Sequence, residues 1–423
     1  MRIAVIGAGA AGLTAAYRLS KAGHRVIVYE ANPYVGGRAH TEHFGPGHHV
    51  DTGAGWLTTA YTRTLALFEE LGERERLQPL RASGPAELLL GDQVYLSNGL
   101  PRTPSGEHLV PPEERERLRN WLQWLEGYPP LGFRTFNDQE TAEAHLAPVS
   151  PTAARFLFGP MFEGLFAPLS EQSAEFLRSW IAASRARYLQ VAEGMDAPWK
   201  RVASHLEVRL NARVEMIRQG GMRMEVVANS MGTGFDGIVV AVPPPAGNRF
   251  VTRAIEPRWV AQLNYEHIEY TGQCRLYLAM PGDAPGRVHR RPMPMGLVAS
   301  VEWQSARDGA WGTCPAGWQW ALICGNQRYN RHLLNMPDAE IAGHLWDEAV
   351  NIIPNLPPLK SWNVQHVIRW AQAVPTMAPG HFTRMAAYQR RPPLVFAGDW
   401  THQACIEGAV RSGEAAAEAF GPA

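Results

Sequence analysis

The chain has 423 residues, enough for two or three domains, and its 45% apolar and 19% charged residues supply a buried core and exclude global disorder. Forty basic and forty acidic residues cancel, which excludes the diffuse positive field of a general nucleic-acid binder. Four dispersed cysteines (Cys274, Cys314, Cys324, Cys405) form no CxxC pair, so neither a disulfide scaffold nor a metal site is expected, and a reducing cytoplasmic setting is the default.

The run Arg2–Ile6 (RIAVI) predicts a short strand, followed by the turn GAGAAG and an Ala-rich helix over Leu13–Lys21. Arg25–Tyr29 (RVIVY) predicts a second strand ending at Glu30, completing a βαβ unit in about thirty residues. The apolar start has the flavour of a signal peptide, but a secretory segment has no use for the second strand or Glu30. No other stretch approaches the ~18 uninterrupted apolar residues of a membrane span, although a peripheral membrane contact stays open.

Further along, Arg63–Leu71 predicts a helix and Leu88–Leu96 two strands around Gly91-Asp92. Helices are expected over Arg115–Leu125, Glu175–Leu189 and Val202–Leu210, and Met161–Leu169 reads as either a core helix and turn or an apolar lining or lid. Ala212–Ile217 and Gly237–Val242 read as strands, 260–330 as short strands rich in Trp and Tyr, and Asp338–Ile352 as a helix. Residues 360–423 read as strand, Pro-rich loop, strand and helix. This alternation predicts an α/β protein of two interleaved domains. Segments 1–80, 200–250 and 360–423 would build a Rossmann-type nucleotide domain, and 81–199 with 251–359 an α+β substrate domain.

Gly7, Gly9 and Gly12 fit G-x-G-x-x-G between a strand and a helix, with Ala10 and Ala11 as the intervening residues. The first glycine permits a tight turn, the second a close approach of pyrophosphate, the third close packing of helix on strand. Free N–H groups at the helix start favour the negative charge. Glu30, eighteen residues past Gly12, is placed to accept from a ribose 2′-OH and would repel a 2′-phosphate.

Further segments decide between NAD and FAD. They are Gly36-Gly37-Arg38, then Gly53-Ala54-Gly55-Trp56, then Gly398-Asp399-Trp400, and finally Glu407-Gly408-Ala409-Val410 opening the last helix. With GAGAAG, they make the chain similar to the FAD-dependent flavin amine oxidase and protoporphyrinogen oxidase superfamily, over about 1–72 and 393–417 and in patches between. That resemblance implies non-covalent FAD, since Cys405 is displaced from the position that carries a thioether link in covalent members. It implies that Arg38 neutralises pyrophosphate charge, Asp399 binds the ribityl chain, and Gly408–Val410 donate backbone N–H groups to the flavin pyrimidine edge. Val214 would contact adenine through its main chain.

The substrate end departs from the family pattern. Flavin amine oxidases commonly carry a lysine on a strand facing flavin N5; the strand pattern Gly272–Leu278 puts Gln273 there. The only lysines are Lys21, Lys200 and Lys360, leaving 37 arginines. Cys405 stands where that family has an aromatic wall, and Ala86-Glu87 where protoporphyrinogen oxidases often have a propionate-binding arginine. Trp370, in an Arg-Trp pair resembling the protoporphyrinogen oxidase branch, and Trp400 are the candidate aromatic walls. Trp370, Trp400 and Gln273 are therefore the candidate catalytic residues.

Trp303, Trp311, Trp318, Trp320 and Trp346 serve either a wide apolar pocket or a Trp-rich core. His48-His49 and His402 read as polar loop residues, with His402 near enough to the flavin segment to test. The expected activity is hydride transfer from an apolar or planar small molecule (an amine, porphyrinogen-like compound or polyene) to flavin, by an oxidase or dehydrogenase. An FAD-dependent isomerase or mutase is the alternative. Oligomeric state stays open.

Overall fold

Every residue of RIAVI after Arg2 is apolar, and the strand Arg2–Ile6 is buried on both faces. A strand hidden on both sides needs a covering layer above and below, as in a parallel sheet. A computed structural model describes residues 1–80, 86–97, 99–132, 138–220, 223–251, 265–305 and 311–423. In it, five parallel strands lie in the order Glu207–Arg209, Arg25–Tyr29, Arg2–Ile6, Gly237–Val240, Leu394–Phe396. Ile3 and Val5 face the helices Ala10–Lys21 and Ile406–Glu418. Ala4 and Ile6 face a three-stranded antiparallel layer spanning Val214 to Phe235. A Cβ on Gly413 would stand 2.4 Å from the Ala11 carbonyl oxygen, so the two helices meet backbone to backbone.

A second sheet has seven strands, in the order Val364–Pro375, Tyr270–Pro281, Trp318–Gly325, Val298–Ser305, Val288–Met293, Ala86–Leu90, Gln93–Ser97. Side chains alternate along a strand. Cys274, Leu276 and Leu278 pack beneath the sheet with Ile341 and Leu345 of the helix Asp338–Ile352. Gln273, Arg275 and Tyr277 take the other face. Helices Pro112–Trp124, Gly159–Leu165 and Ala174–Ser184 add Trp121, Phe162, Phe176 and Trp180 to the main core.

Three expectations change. The helix expected over Glu175–Leu189 ends at Ser184, and Tyr188–Val191 is a strand between Leu57–Thr58 and Leu77–Pro79. Val202–Leu210 divides into the end of a helix, Ala197–Ala203, and the edge strand Glu207–Arg209. Its apolar spacing suits either period, and pairing with Arg25–Tyr29 decides it. A short helix, His381–Ala387, follows Gly380 inside the Pro-rich loop. Of the strand region expected over 260–330, residues 260–264 and 306–310 lie outside the described residues. No helix among the described residues is long and apolar enough to cross a membrane.

Candidate functional site

The glycine turn begins at Gly7, whose φ of +104° favours glycine, and its N–H donates to the Tyr29 carbonyl at 2.8 Å. A Cβ on Gly12 would lie 1.9 Å from the Gly7 oxygen, so helix and turn pack with no room for a side chain. The second turn runs against the first. Gly36 N donates to Ala8 O at 2.8 Å, and a Cβ on Gly37 would approach the Gly9 Cα to 3.0 Å. The result is a stretch of bare backbone beside a helix start, suited to a pyrophosphate.

Glu30 is buried at the end of its strand. Its carboxylate accepts from Ala8 N at 2.8 Å and Asn32 N at 2.9 Å, which fixes its orientation. Arg38 and Asp399 form a two-pronged ion pair at 2.7 and 2.9 Å. Arg38 also donates to the Ala373 carbonyl, and Tyr270 donates to Asp399 at 3.2 Å. The two residues expected to serve different parts of FAD are thus joined in one network.

A cavity of about 580 Å³ connects these features. Its walls include Gly7, Gly9, Ala10, Ala11, Glu30, Gly36, Gly37 and Arg38, then Gly53, Ala54, Gly55, Trp56 and Val214, and then Gly398, Asp399 and Ala409. The three candidate catalytic residues, Gln273, Trp370 and Trp400, line it as well. Gly12, Gly408 and Val410 do not. They sit behind the wall, where Gly12 and Gly408 permit tight backbone packing and Val410 belongs to the core. Bare glycine backbone, two helix starts and an oriented carboxylate around one cavity fit a dinucleotide with an unphosphorylated ribose.

At the substrate side, Gln273 and Trp370 face each other across paired strands, and the Trp370 indole N–H donates to Thr52 O at 2.8 Å. Trp400 is fully buried against Tyr265 and Phe396, with its ring beneath Gly398, so it walls the cavity from the core. Of the five second-domain tryptophans, only Trp311 lines the cavity. Trp303 and Trp320 are core residues, and Trp318 and Trp346 pack against apolar clusters.

His402 is absent from the cavity wall, and burial, with Arg390 and Arg411 nearby, pushes its pKa down to about 3. A neutral, weakly basic imidazole there is a poor proton acceptor at neutral pH. His48 and His49 are not loop residues: both are buried in the strand His48–Asp51, where His48 shares a hydrogen bond with the Tyr277 hydroxyl at 3.1 Å. Burial pushes the Cys405 thiol up to about 12, which keeps it protonated and unreactive.

Sequence reasoning missed Arg275, Tyr61 and Trp180, which also line the cavity, whereas Leu165 and Phe166 on its wall fall in the segment Met161–Leu169, which reads as either a core helix or an apolar lining. For Arg275 the signal was available: on Gln-Cys-Arg-Leu-Tyr it shares a face with Gln273. It also missed the work of Glu407. That carboxylate is fully buried and accepts from Arg63 N at 3.0 Å and Thr64 N at 2.9 Å, tying the last helix to the start of Thr62–Glu70.

The family model for flavin containing amine oxidoreductases matches residues 10–420. Zeta-carotene desaturase of Synechocystis sp. is 36% identical over 78 residues, 18% of this chain and 16% of the relative. Protoporphyrinogen oxidase 2 of Arabidopsis thaliana is 42% identical over 77 residues, 18% of this chain and 15% of the relative. The chain thus aligns with less than a fifth of the length of these two curated relatives. Cyclohexylamine oxidase of Brevibacterium oxydans shares the fold, with a TM-score of 0.74 at 19% identity over 99% of this chain and 98% of that one. A family match from residue 10 to 420, on a Rossmann-like domain joined to a substrate-binding domain, makes the chain a member of the flavin-containing amine oxidoreductases, a family of FAD-dependent oxidoreductases.

Proposed function

We propose that the protein takes a hydride from a C–H bond of a planar or apolar small molecule (an amine, a porphyrinogen-like compound or a polyene) and passes it to non-covalently bound FAD. The observation that carries this reading is the continuity of one cavity from Glu30 and the glycine turns to Gln273, Trp311 and Trp370. Bound FAD would supply the hydride acceptor. The chain's own contribution is to hold that cofactor, exclude water and position the donor carbon. Gly9, Gly37 and Arg38 would face pyrophosphate, Glu30 the adenosine ribose, Val214 adenine, Asp399 the ribityl chain and Ala409 the flavin edge. Gly53–Trp56 would complete that wall.

Hydride transfer needs neither a nucleophile nor a metal on the protein; it needs a dry pocket and close placement. Trp370, pinned to Thr52, supplies a fixed wall, and Trp400 braces the cavity from behind. Gln273 stands where the lysine of the amine-oxidising relatives was expected, and a carboxamide takes no proton near neutral pH. The same reading divides the chain into a nucleotide part (1–80, 200–250, 360–423) and a substrate part (81–199, 251–359). The five-stranded sheet, which draws only on the first set, supports this; the seven-stranded sheet draws on the second set plus Val364–Pro375.

The test is anaerobic mixing of the flavin-loaded protein with amines, porphyrinogens and polyenes, following loss of flavin absorbance. Bleaching by one class, with matching use of an electron acceptor, is expected. Turnover only after prereduction, with no acceptor consumed, would replace this reading by isomerisation.

A further inference from the structure

Arg275 lies on the cavity-facing side of Tyr270–Pro281, is 2% exposed and lines the cavity. Its guanidinium rests over the Trp311 ring at 4.0 Å and makes one long hydrogen bond, Nη1 to Gly53 O at 3.4 Å. Nε has no partner, and no carboxylate lies within ion-pair distance among the described residues. Gln273, on the same face and 4% exposed, likewise makes no side-chain hydrogen bond among the described residues.

The surroundings do not neutralise Arg275. Cys324 stands opposite it in register, but burial raises that thiol's pKa, so it carries no charge at neutral pH. The Cys324 thiol is also within electrostatic reach of Arg291, whose side chain makes no hydrogen bond or ion pair among the described residues. The carboxylate in this neighbourhood, Glu302, is paired with Arg287 at 2.7 Å. Glu302 therefore serves Arg287 and, at longer range, Arg291, and leaves Arg275 without a carboxylate among the described residues.

A buried guanidinium without an anion is costly, and an apolar side chain of similar volume would fill the same space at less cost. Retaining the charge in a cavity wall is consistent with an anion that arrives with the ligand. We infer that the substrate carries a carboxylate, held by Arg275 with Gln273 beside it, and that its apolar or planar body lies against Trp56, Trp311 and Trp370. A carboxylate matches the planar fork of one guanidinium, and Trp56 and Trp311, edge to face at 4.8 Å, supply flat walls next to it. This rests on the proposed redox function, narrowing its substrate class to organic acids.

The test uses ligands that need not react. Oxidised, flavin-loaded protein is titrated with indole-3-propionate and with its primary amide, following the flavin visible spectrum. The acid should bind more than about tenfold tighter than the amide, and Arg275→Met should abolish that preference. Arg275→Lys should keep part of it, and Arg291→Met should reduce it less than Arg275→Met does. Equal binding of acid and amide by the wild type, no spectral response to either, or an acid preference that survives Arg275→Met would overturn the inference. So would an Arg275→Met protein that folds, shown by an unchanged far-ultraviolet circular dichroism spectrum, yet no longer retains FAD, since the guanidinium would then serve the cofactor. If Arg275→Met fails to fold, the wild-type comparison and Arg275→Lys still decide. Acid preference without bleaching by any compound class sinks the redox reading and leaves the anion site; bleaching without acid preference does the reverse.

Discussion

The two sides of the cavity are built from different materials. The side proposed for the nucleotide is mostly main chain: Gly7, Gly9, Gly36 and Gly37 bring bare backbone together, and added Cβ atoms at several of these positions would meet neighbouring backbone. The side proposed for the substrate is mostly side chain: Gln273, Arg275 and Trp370 project from strands that tolerate many residue types, and Trp311 joins them from a turn. A site made of backbone can be varied only by breaking it, whereas a site made of side chains can change its ligand and keep its fold.

The sharpest way to break that contrast is Gly12→Val. Its Cβ would overlap the Gly7 oxygen, so flavin content after gel filtration should fall close to zero. A yellow, fully loaded variant would mean that the turn yields more easily than its packing implies. On the other side, Trp370→Ala should slow anaerobic flavin reduction more than about tenfold at saturating substrate, through loss of positioning. Gln273→Ala and His402→Ala should stay within a few-fold of wild type. Trp400→Ala should also depress reduction, but as a fully buried ring it should lose about 3–5 kcal/mol of stability, read as a lower Tm. If Gln273→Ala or His402→Ala abolishes reduction while Trp370→Ala does not, a proton-transferring residue carries the chemistry.

Glu30→Gln should weaken FAD retention by about 1–3 kcal/mol, measured by equilibrium dialysis, because a charged acceptor becomes neutral and its amide faces backbone N–H groups. Unchanged affinity would remove Glu30 from the site.

The smallest effect is a pH dependence at the joint between the two sides. Burial pushes Asp51 up to about 7, partly offset by hydrogen bonds from Met195 N and Thr41 Oγ1. With the folded pKa above the unfolded value, the protonated carboxyl is the form the fold prefers. The associated stability is present at low pH and lost as pH rises from about 4 to 7. Asp51→Asn should therefore gain Tm relative to wild type as pH rises through that window, and a constant gap would refute the assignment.

The same contrast explains what was legible in the sequence. Glycine spacing is forced by backbone geometry, so GAGAAG, Gly36-Gly37 and Gly398-Asp399 pointed to one cavity from positions hundreds of residues apart. The helix Asp338–Ile352 was equally clear, since fifteen residues of steady apolar period leave no rival reading. Val202–Leu210 was not, because an edge strand of three residues draws its identity from its partner. Trp400 looked like a substrate wall because it follows Gly398-Asp399, but whether an aromatic faces a ligand or a core depends on what packs behind it. Arg275 was overlooked although strand alternation put it on the face of Gln273, because one arginine among 37 draws no notice without a sign that it is unpaired. Its significance is the missing partner, which only tertiary structure reveals.

The close contact of Gly413 with Ala11 also bears on the order of events during synthesis. The first glycine turn leaves the ribosome some four hundred residues before the helix that packs on it. Until Gly398–Ala409 emerge, Asp399 cannot pair with Arg38 and Glu407 cannot hold the start of Thr62–Glu70. On the proposed reading, a cofactor meets an incomplete site on the nascent chain until these segments have emerged and packed. If the proposed site is right, holding flavin and closing this long loop are coupled, and flavin supply bears on yield as well as on activity.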